Sequence, residues 1–252
     1  MQLLKIGNII AVIFALILNG LANALPINGR NTGEISDSIP NLFVPAGITF
    51  SIWGVIYFFL VVFSVYQSKK GDQPYLERLG PWLMIANLAN GLWILFWHYG
   101  LYAISLITML VLLGALLKSY LNLDIGKTEI STAEKFAVNA TISVYLGWIS
   151  VATIANFTAV LVDASWNGGG ISESNWTIVV IIIAVLLTSG MILIRQDYVY
   201  SLVIIWSLIG IIIKRSDLAF PPQPGIIITT SVGLAIIILL DLLVWFKEHR
   251  SK

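Results

Sequence analysis

Residues 144–156 read VYLGWISVATIAN, inside an uncharged run at 136–161, FAVNATISVYLGWISVATIANFTAVL. At 1.5 Å per residue such a run crosses about 30 Å of hydrocarbon as a helix. Yet it carries Tyr145, Trp148 and Asn156, whose polar groups find no hydrogen-bond partner in lipid. Tyr145, Trp148, Ala152 and Asn156 are spaced three, four and four residues apart. That spacing places them in one stripe along a helix. A polar stripe on a membrane helix must face protein or a cavity.

Composition points the same way: 58% hydrophobic and 11% charged residues, with a mean hydropathy of +0.90. Eight apolar runs stand between polar or Gly/Pro-rich breaks, at 3–25, 47–66, 80–97, 99–117, 136–161, 176–194, 198–213 and 225–246. The expected fold is an all-α integral membrane protein with eight transmembrane helices. The seventh run is short, and reads either as a tight span or as a half-helix.

Placement of lysine and arginine tests the count. With eight spans, one side holds Lys5, Lys69, Lys70, Arg78, Lys118, Lys127, Lys135, Arg195, Lys247, Arg250 and Lys252, and the other holds Arg30, Lys214 and Arg215. By the positive-inside rule the first side is cytoplasmic, with both termini inside, and the expected location is a prokaryotic cytoplasmic membrane. The N-terminus also imitates a signal peptide, with Ala22-Asn23-Ala24 as a cleavage site. Asn19 and Asn23, four apart on one face, favour a packed span instead. There is no cysteine, which leaves neither disulfides nor thiolate metal sites. A net charge of +1 without a basic block gives no reason to expect nucleic acid. The long loop 26–46 and the glycine-bearing loop 162–175 lie on the outer side, where long loops often act as lids.

Candidate site residues gather on three runs. Thr49, Trp53 and Tyr57 follow one another at helical spacing in the second. Asn87, Asn90, Trp93, Trp97 and His98 occupy the third, and the opening stripe the fifth. Aromatic belts at headgroup level account for Trp82, Trp97, Trp166, Trp176 and Trp245 near span ends. They do not account for Trp53, Trp93 and Trp148, which lie deeper. Trp206, also central, has no assignment from sequence. Amides of this kind can be glue between helices or polar groups of a ligand pocket with flat aromatic walls. His98 could ligate haem iron or simply sit at the interface.

Three stretches, FVPAGITFSIWGVIY (43–57), ANLANGLWILFWHYGLYAISLITMLVLLGAL (86–116) and VYLGWISVATIAN (144–156), resemble the second, third to fourth, and fifth spans of the translocator protein family, the tryptophan-rich sensory proteins. The Asn-x-x-Trp pattern of span three appears as Asn90 and Trp93, and the span-five pattern as Tyr145, Trp148, Ala152, Thr153 and Asn156. The resemblance implies a five-helix bundle over residues 1–161; residues 162–252 lie outside the five-span pattern as a three-span extension on which it is silent. It also implies a pocket beneath the loop between spans one and two, which takes porphyrins, haem-like tetrapyrroles or sterols. Carried over by position, Trp53 and Trp148 match pocket tryptophans and Asn90 a pocket amide. In some members the matching tryptophans are linked to light-dependent porphyrin breakdown. The chain departs from the family pattern at Leu42-Phe43-Val44-Pro45, where the family has Trp-Thr-Pro-Pro, at Ser51-Ile52 before Trp53, and at Val144.

The expected function is therefore binding or sensing of a flat hydrophobic ligand such as a porphyrin or other tetrapyrrole, with transport or light-dependent turnover as its use. The ligand-binding candidates are Trp53, Asn87, Asn90, Trp93, Tyr145, Trp148, Ala152 and Asn156. No cofactor is required, although porphyrin or haem could be bound. The partners are a hydrophobic small molecule and the lipid bilayer, with a homodimer left open. A secondary transporter or channel-like protein for a small solute is the alternative. The interior holds almost no ionisable group, and Asp241 reads as snorkelling to the cytoplasmic surface. Conventional enzyme chemistry would need a nucleophile–base set or a metal cluster, and the two histidines, His98 and His249, supply neither.

Overall fold

The computed structural model describes residues 1–69 and 73–250, the last three by backbone alone. Lys70 and Lys252, counted above on the cytoplasmic side, and the side chains of His249 and Arg250 lie outside the described residues. Lipid offers nothing to a free N–H or C=O, so each apolar run satisfies its backbone internally as a helix. Among the described residues eight long helices follow one another: α1 Gln2–Ala24, α2 Ile52–Gln67, α3 Trp82–His98, α4 Tyr102–Asn122, α5 Ala140–Asp163, α6 Glu173–Arg195, α7 Tyr198–Ser216 and α8 Pro224–Arg250. Seven of them are long and apolar enough to cross a bilayer, one fewer than the eight spans expected, because α3 is too short. A 3₁₀ turn, Gly47–Ser51, leads into α2, and a π turn, Lys135–Asn139, into α5. The shortest, α3, has 17 residues, about 25 Å of rise.

The seventh run proves longer than its apolar core. α7 has 19 residues and carries Lys214 and Arg215 in its last turn. Both are buried, because Lys214 finds a carboxylate in Asp37 and the two cations lie near the Phe220 ring. Local signals set the helix ends. Gly100 takes φ +70° between α3 and α4, and Gln196 takes the left-handed conformation at the end of α6. Asp197 then caps α7, accepting from the Tyr200 N–H at 3.1 Å.

α1 to α5 close on themselves. α1 packs on α2 and α3, α3 on α4, α4 on α5, and α5 on α2. The result is a five-helix ring in the order α1–α2–α5–α4–α3. α7 lies along the outside of α5, and α6 and α8 pack on α7 and on each other. Small residues permit the close approaches. A Cβ at Gly91 of α3 would overlap the Phe14 ring of α1. One at Gly147 of α5 would stand 2.9 Å from Val203 Cβ of α7. Buried polar pairs fix the helices laterally. Asn8 Nδ2 donates to Gln67 Oε1 at 3.1 Å, between α1 and α2. Ser143 Oγ of α5 donates to Asp197 Oδ2 at 2.6 Å. Asp241, expected to snorkel, instead accepts from Ser201 Oγ of α7 at 2.8 Å. Large apolar side chains such as Ile107, Leu110, Leu186, Leu187, Leu239 and Leu243 remain exposed on the perimeter, as helices in contact with lipid require.

The two ends of the helix array differ. At one, the basic end, Lys5 Nζ donates to Lys69 O, Arg78 pairs with Glu134, and Arg195 pairs with Asp124 at 2.6 Å. At the other, residues 26–46 fold into a lid around the short helix Thr32–Ser38. That helix begins with a capping box in which Asn31 and Glu34 bond reciprocally.

Candidate functional site: an aromatic pocket under a latched lid

Helical spacing in α2, α3 and α5 turns their aromatic side chains into the ring. Tyr57, Trp53, Trp93 and Trp97 form a ladder, with successive ring centroids 5.7, 6.0 and 6.1 Å apart and interplanar angles near 25°. Tyr145 and Trp148 of α5 meet Trp53 edge-on, each at 6.3 Å. Phe50 meets Trp148 edge-on at 5.7 Å. These geometries suit the ring quadrupole. Trp53, Trp93, Trp97 and Trp148 are 7%, 4%, 4% and 2% exposed, so the cluster is fully interior.

A cavity of about 40 Å³ lies within this cluster, at the lid end. Its wall combines the four tryptophans with Phe50, Ala152 and Asn156, and its roof is Thr32, Ser36, Val44 and Pro45. The indole N–H groups of Trp93, Trp97 and Trp148 are buried without an acceptor. A buried unsatisfied donor costs about 1–3 kcal/mol, so three around one cavity are a marked polar demand.

The structure brings together Trp53, Trp93, Trp148, Ala152 and Asn156 as cavity wall. Trp53 and Trp148 touch edge to face rather than standing apart across a void. Tyr145 packs beneath, against Trp53. Asn90 and Asn87 do not line the cavity. Asn90 Oδ1 accepts from Asn19 Nδ2 of α1 at 2.6 Å, and Asn87 Nδ2 donates to Leu83 O at 2.9 Å. Asn156 does both jobs, since its amide also exchanges hydrogen bonds with Ser105 Oγ of α4 at 3.0 and 3.4 Å. Trp97, read from sequence as an interfacial belt residue, is cavity wall. Its i+4 spacing from Trp93 was the available signal.

The lid is held from two sides. Below it, His98 uses both ring nitrogens: Nδ1 lies 3.0 Å from Ile27 O, to which it must donate, and Nε2 lies 3.1 Å from Thr32 Oγ1. Neither nitrogen is free for iron in this arrangement. Asn41 Nδ2 reaches Ala155 O at 3.4 Å. Beside the lid stands α7. Trp206, unassigned from sequence, donates its indole N–H to Thr49 O at 3.0 Å, and the Ala46 N–H donates to Gly210 O at 3.0 Å. Lys214 Nζ donates to Asp37 Oδ1 at 2.5 Å. Of the last three spans, α7 thus contacts the lid and residues 45–49 beside the roof of the pocket.

A second, larger cavity of about 750 Å³ opens at the same end between α5, α6 and loop 162–175. Leu42, Phe157, Trp166, Trp176, Val180 and Ile183 are among its lining, and none of the candidate residues above belongs to it. Residues 40–43 border this groove, while Val44 and Pro45 border the aromatic cavity. The strap 40–45 therefore separates the two.

No curated protein and no solved structure matches the chain. The sequence model of the TSPO-like protein family, however, matches residues 5–244, and so takes in α6, α7 and most of α8. With a match over nearly its whole length, and a five-helix ring around interior tryptophans, the chain belongs to the TSPO-like family of membrane proteins.

Proposed function

We propose that the protein binds a flat hydrophobic ligand, a porphyrin or a related tetrapyrrole such as haem, in the aromatic pocket beneath the lid. The observation that carries this reading is that three of the four tryptophans lining one aromatic-walled cavity have a buried indole N–H without an acceptor. Packing alone leaves these donors unsatisfied. A planar ligand with acceptors at its rim stacks on the indoles and takes up the donors. The closed cavity is far below the roughly 300–1,000 Å³ of ligand pockets in general. Binding therefore requires the lid to lift, and the protein passes between a closed and a ligand-filled form. The 750 Å³ groove beyond the strap offers a hydrophobic molecule a route from the bilayer. Family membership supports the same reading; the lysine and arginine asymmetry supports an orientation with the lid end outside and the basic end cytoplasmic, in what we take to be a prokaryotic cytoplasmic membrane. The function proposed is ligand binding and sensing; any photochemistry would belong to the bound porphyrin.

The test is titration of the purified full chain with protoporphyrin IX, followed by porphyrin absorbance. In a Trp53→Leu, Trp148→Leu variant two aromatic contacts are lost, each worth about 0.5–1.5 kcal/mol, so affinity should fall roughly fivefold or more. A folded double variant with the parent's affinity would reduce the aromatic cluster to helix packing.

A further inference from the structure

Two cations are buried at the edge of the lid, and one carboxylate, Asp37, pairs with the first of them. Lys214 and Arg215 close α7 at 9% and 6% exposure. The ion pair with Asp37 is lopsided: the Lys214 side chain is 9% exposed and the Asp37 side chain 48%. The carboxylate can turn to water, and the ammonium cannot. Lys214 Nζ and the Arg215 guanidinium lie 5.9 and 5.3 Å from the Phe220 ring centre, and Arg215 Nε is buried with no partner. Neighbouring acids are otherwise engaged. Asp217 accepts from the Ala219 N–H at 2.9 Å, and Glu34 from the Asn31 N–H at 2.9 Å. A buried cation without a full partner is costly, so the pair is one anion short.

This spot adjoins the pocket. Asp37 follows Ser36, which roofs the cavity. Gly210, one turn before Lys214, is packed against Pro45, another roof residue. We propose that Lys214 and Arg215 form a subsite for an anionic oxygen group, which exchanges with Asp37 at the pocket rim. The anion is either a carboxylate of the pocket ligand or the phosphate of a lipid at the lid end whose headgroup carries no cation of its own, unlike phosphatidylcholine. A guanidinium beside an ammonium suits both, since arginine presents paired N–H donors to two oxygens. The exchange frees Asp37 and the helix Thr32–Ser38 that carries it, so an occupied subsite favours an open lid. The carboxylate arm rests on the pocket reading above; the phosphate arm does not.

The experiment compares protoporphyrin IX with its dimethyl ester, titrated into the full chain in phosphatidylcholine nanodiscs. The two porphyrins share the ring and differ in charge. The parent should bind the acid about tenfold more tightly than the ester, the ratio expected for one charge-assisted hydrogen bond. In Lys214→Met and Arg215→Met the ratio should fall toward one. Asp37→Asn, which alters only a half-exposed carboxylate, frees both the lid helix and the subsite, so it should tighten both porphyrins and the acid by the larger factor. Phosphatidylglycerol added to the discs distinguishes the sources. If lipid phosphate is the occupant, it raises the Tm of the parent but not of Lys214→Met, and it erases the preference for the acid. Equal binding of acid and ester in all four proteins, with no differential effect of phosphatidylglycerol, overturns the subsite. Failure of both porphyrins to bind overturns the pocket reading instead, and the lipid arm still tests the subsite.

Discussion

Replacing Gly210 with alanine should loosen the lid. The new Cβ would overlap Thr49 Oγ1 and stand 2.9 Å from Pro45 Cβ and 3.0 Å from Thr49 Cβ. A hydroxyl can rotate away, but both Cβ atoms are fixed to backbone. Relief must come from moving residues 45–49 off α7. Overpacking of this kind costs about 1–3 kcal/mol. The shift also strains the Ala46–Gly210 and Trp206–Thr49 hydrogen bonds, both 3.0 Å, each worth about 1 kcal/mol net. A loss of roughly 2–3 kcal/mol from the closed form raises the open fraction about 30- to 150-fold. Trypsin reads this out at Arg30, which is exposed but lies beside the capped helix that begins at Thr32. A protease needs an extended segment there, so cleavage follows the open population when reclosure is fast. Gly190→Ala is the control, since a Cβ there meets nothing within 4 Å. Cleavage at the parental rate in a folded Gly210→Ala variant would refute the view that α7 latches the lid.

Other outcomes follow from the same contacts. Asn90→Ala breaks the bond to Asn19 and should lower stability by about 0.6–1.7 kcal/mol in a detergent melt while leaving porphyrin affinity unchanged; a large loss of affinity would return Asn90 to the ligand wall. His98→Phe removes the ring contacts to Ile27 and Thr32. It should speed cleavage at Arg30 without altering the Soret band of added haem, and a shifted band would identify His98 as an iron ligand. Asp197→Ala removes both the cap of α7 and the partner of Ser143. It should cost about 1–3 kcal/mol, visible as faster hydrogen exchange at the Tyr200 amide; unchanged exchange would show that the cap contributes nothing.

Much of this architecture is written in linear order. Length and hydropathy dictate the spans, because a bilayer leaves the backbone no alternative to the helix. Spacing dictates which side chains share a face, so Tyr145, Trp148, Ala152 and Asn156 could be placed on one stripe without knowing what lay opposite. Depth along a run marked Trp53, Trp93 and Trp148 as unlike belt residues. Partners are another matter, because they depend on how each helix is rotated and on which neighbour it meets. Asn90 and Asn156 look equivalent in sequence, yet one turns to α1 and the other to both α4 and the cavity. Trp97 lies at a span end and still faces inward, because α3 is one of the ring's five walls. Lys214 and Arg215 read as an outer-loop charge pair until folding buries them beside Asp37, 177 residues away in sequence. A single sequence records periodicity along one helix; the meeting of α7 with the lid is a tertiary contact, set by small residues and buried charges whose partners lie far away in the chain.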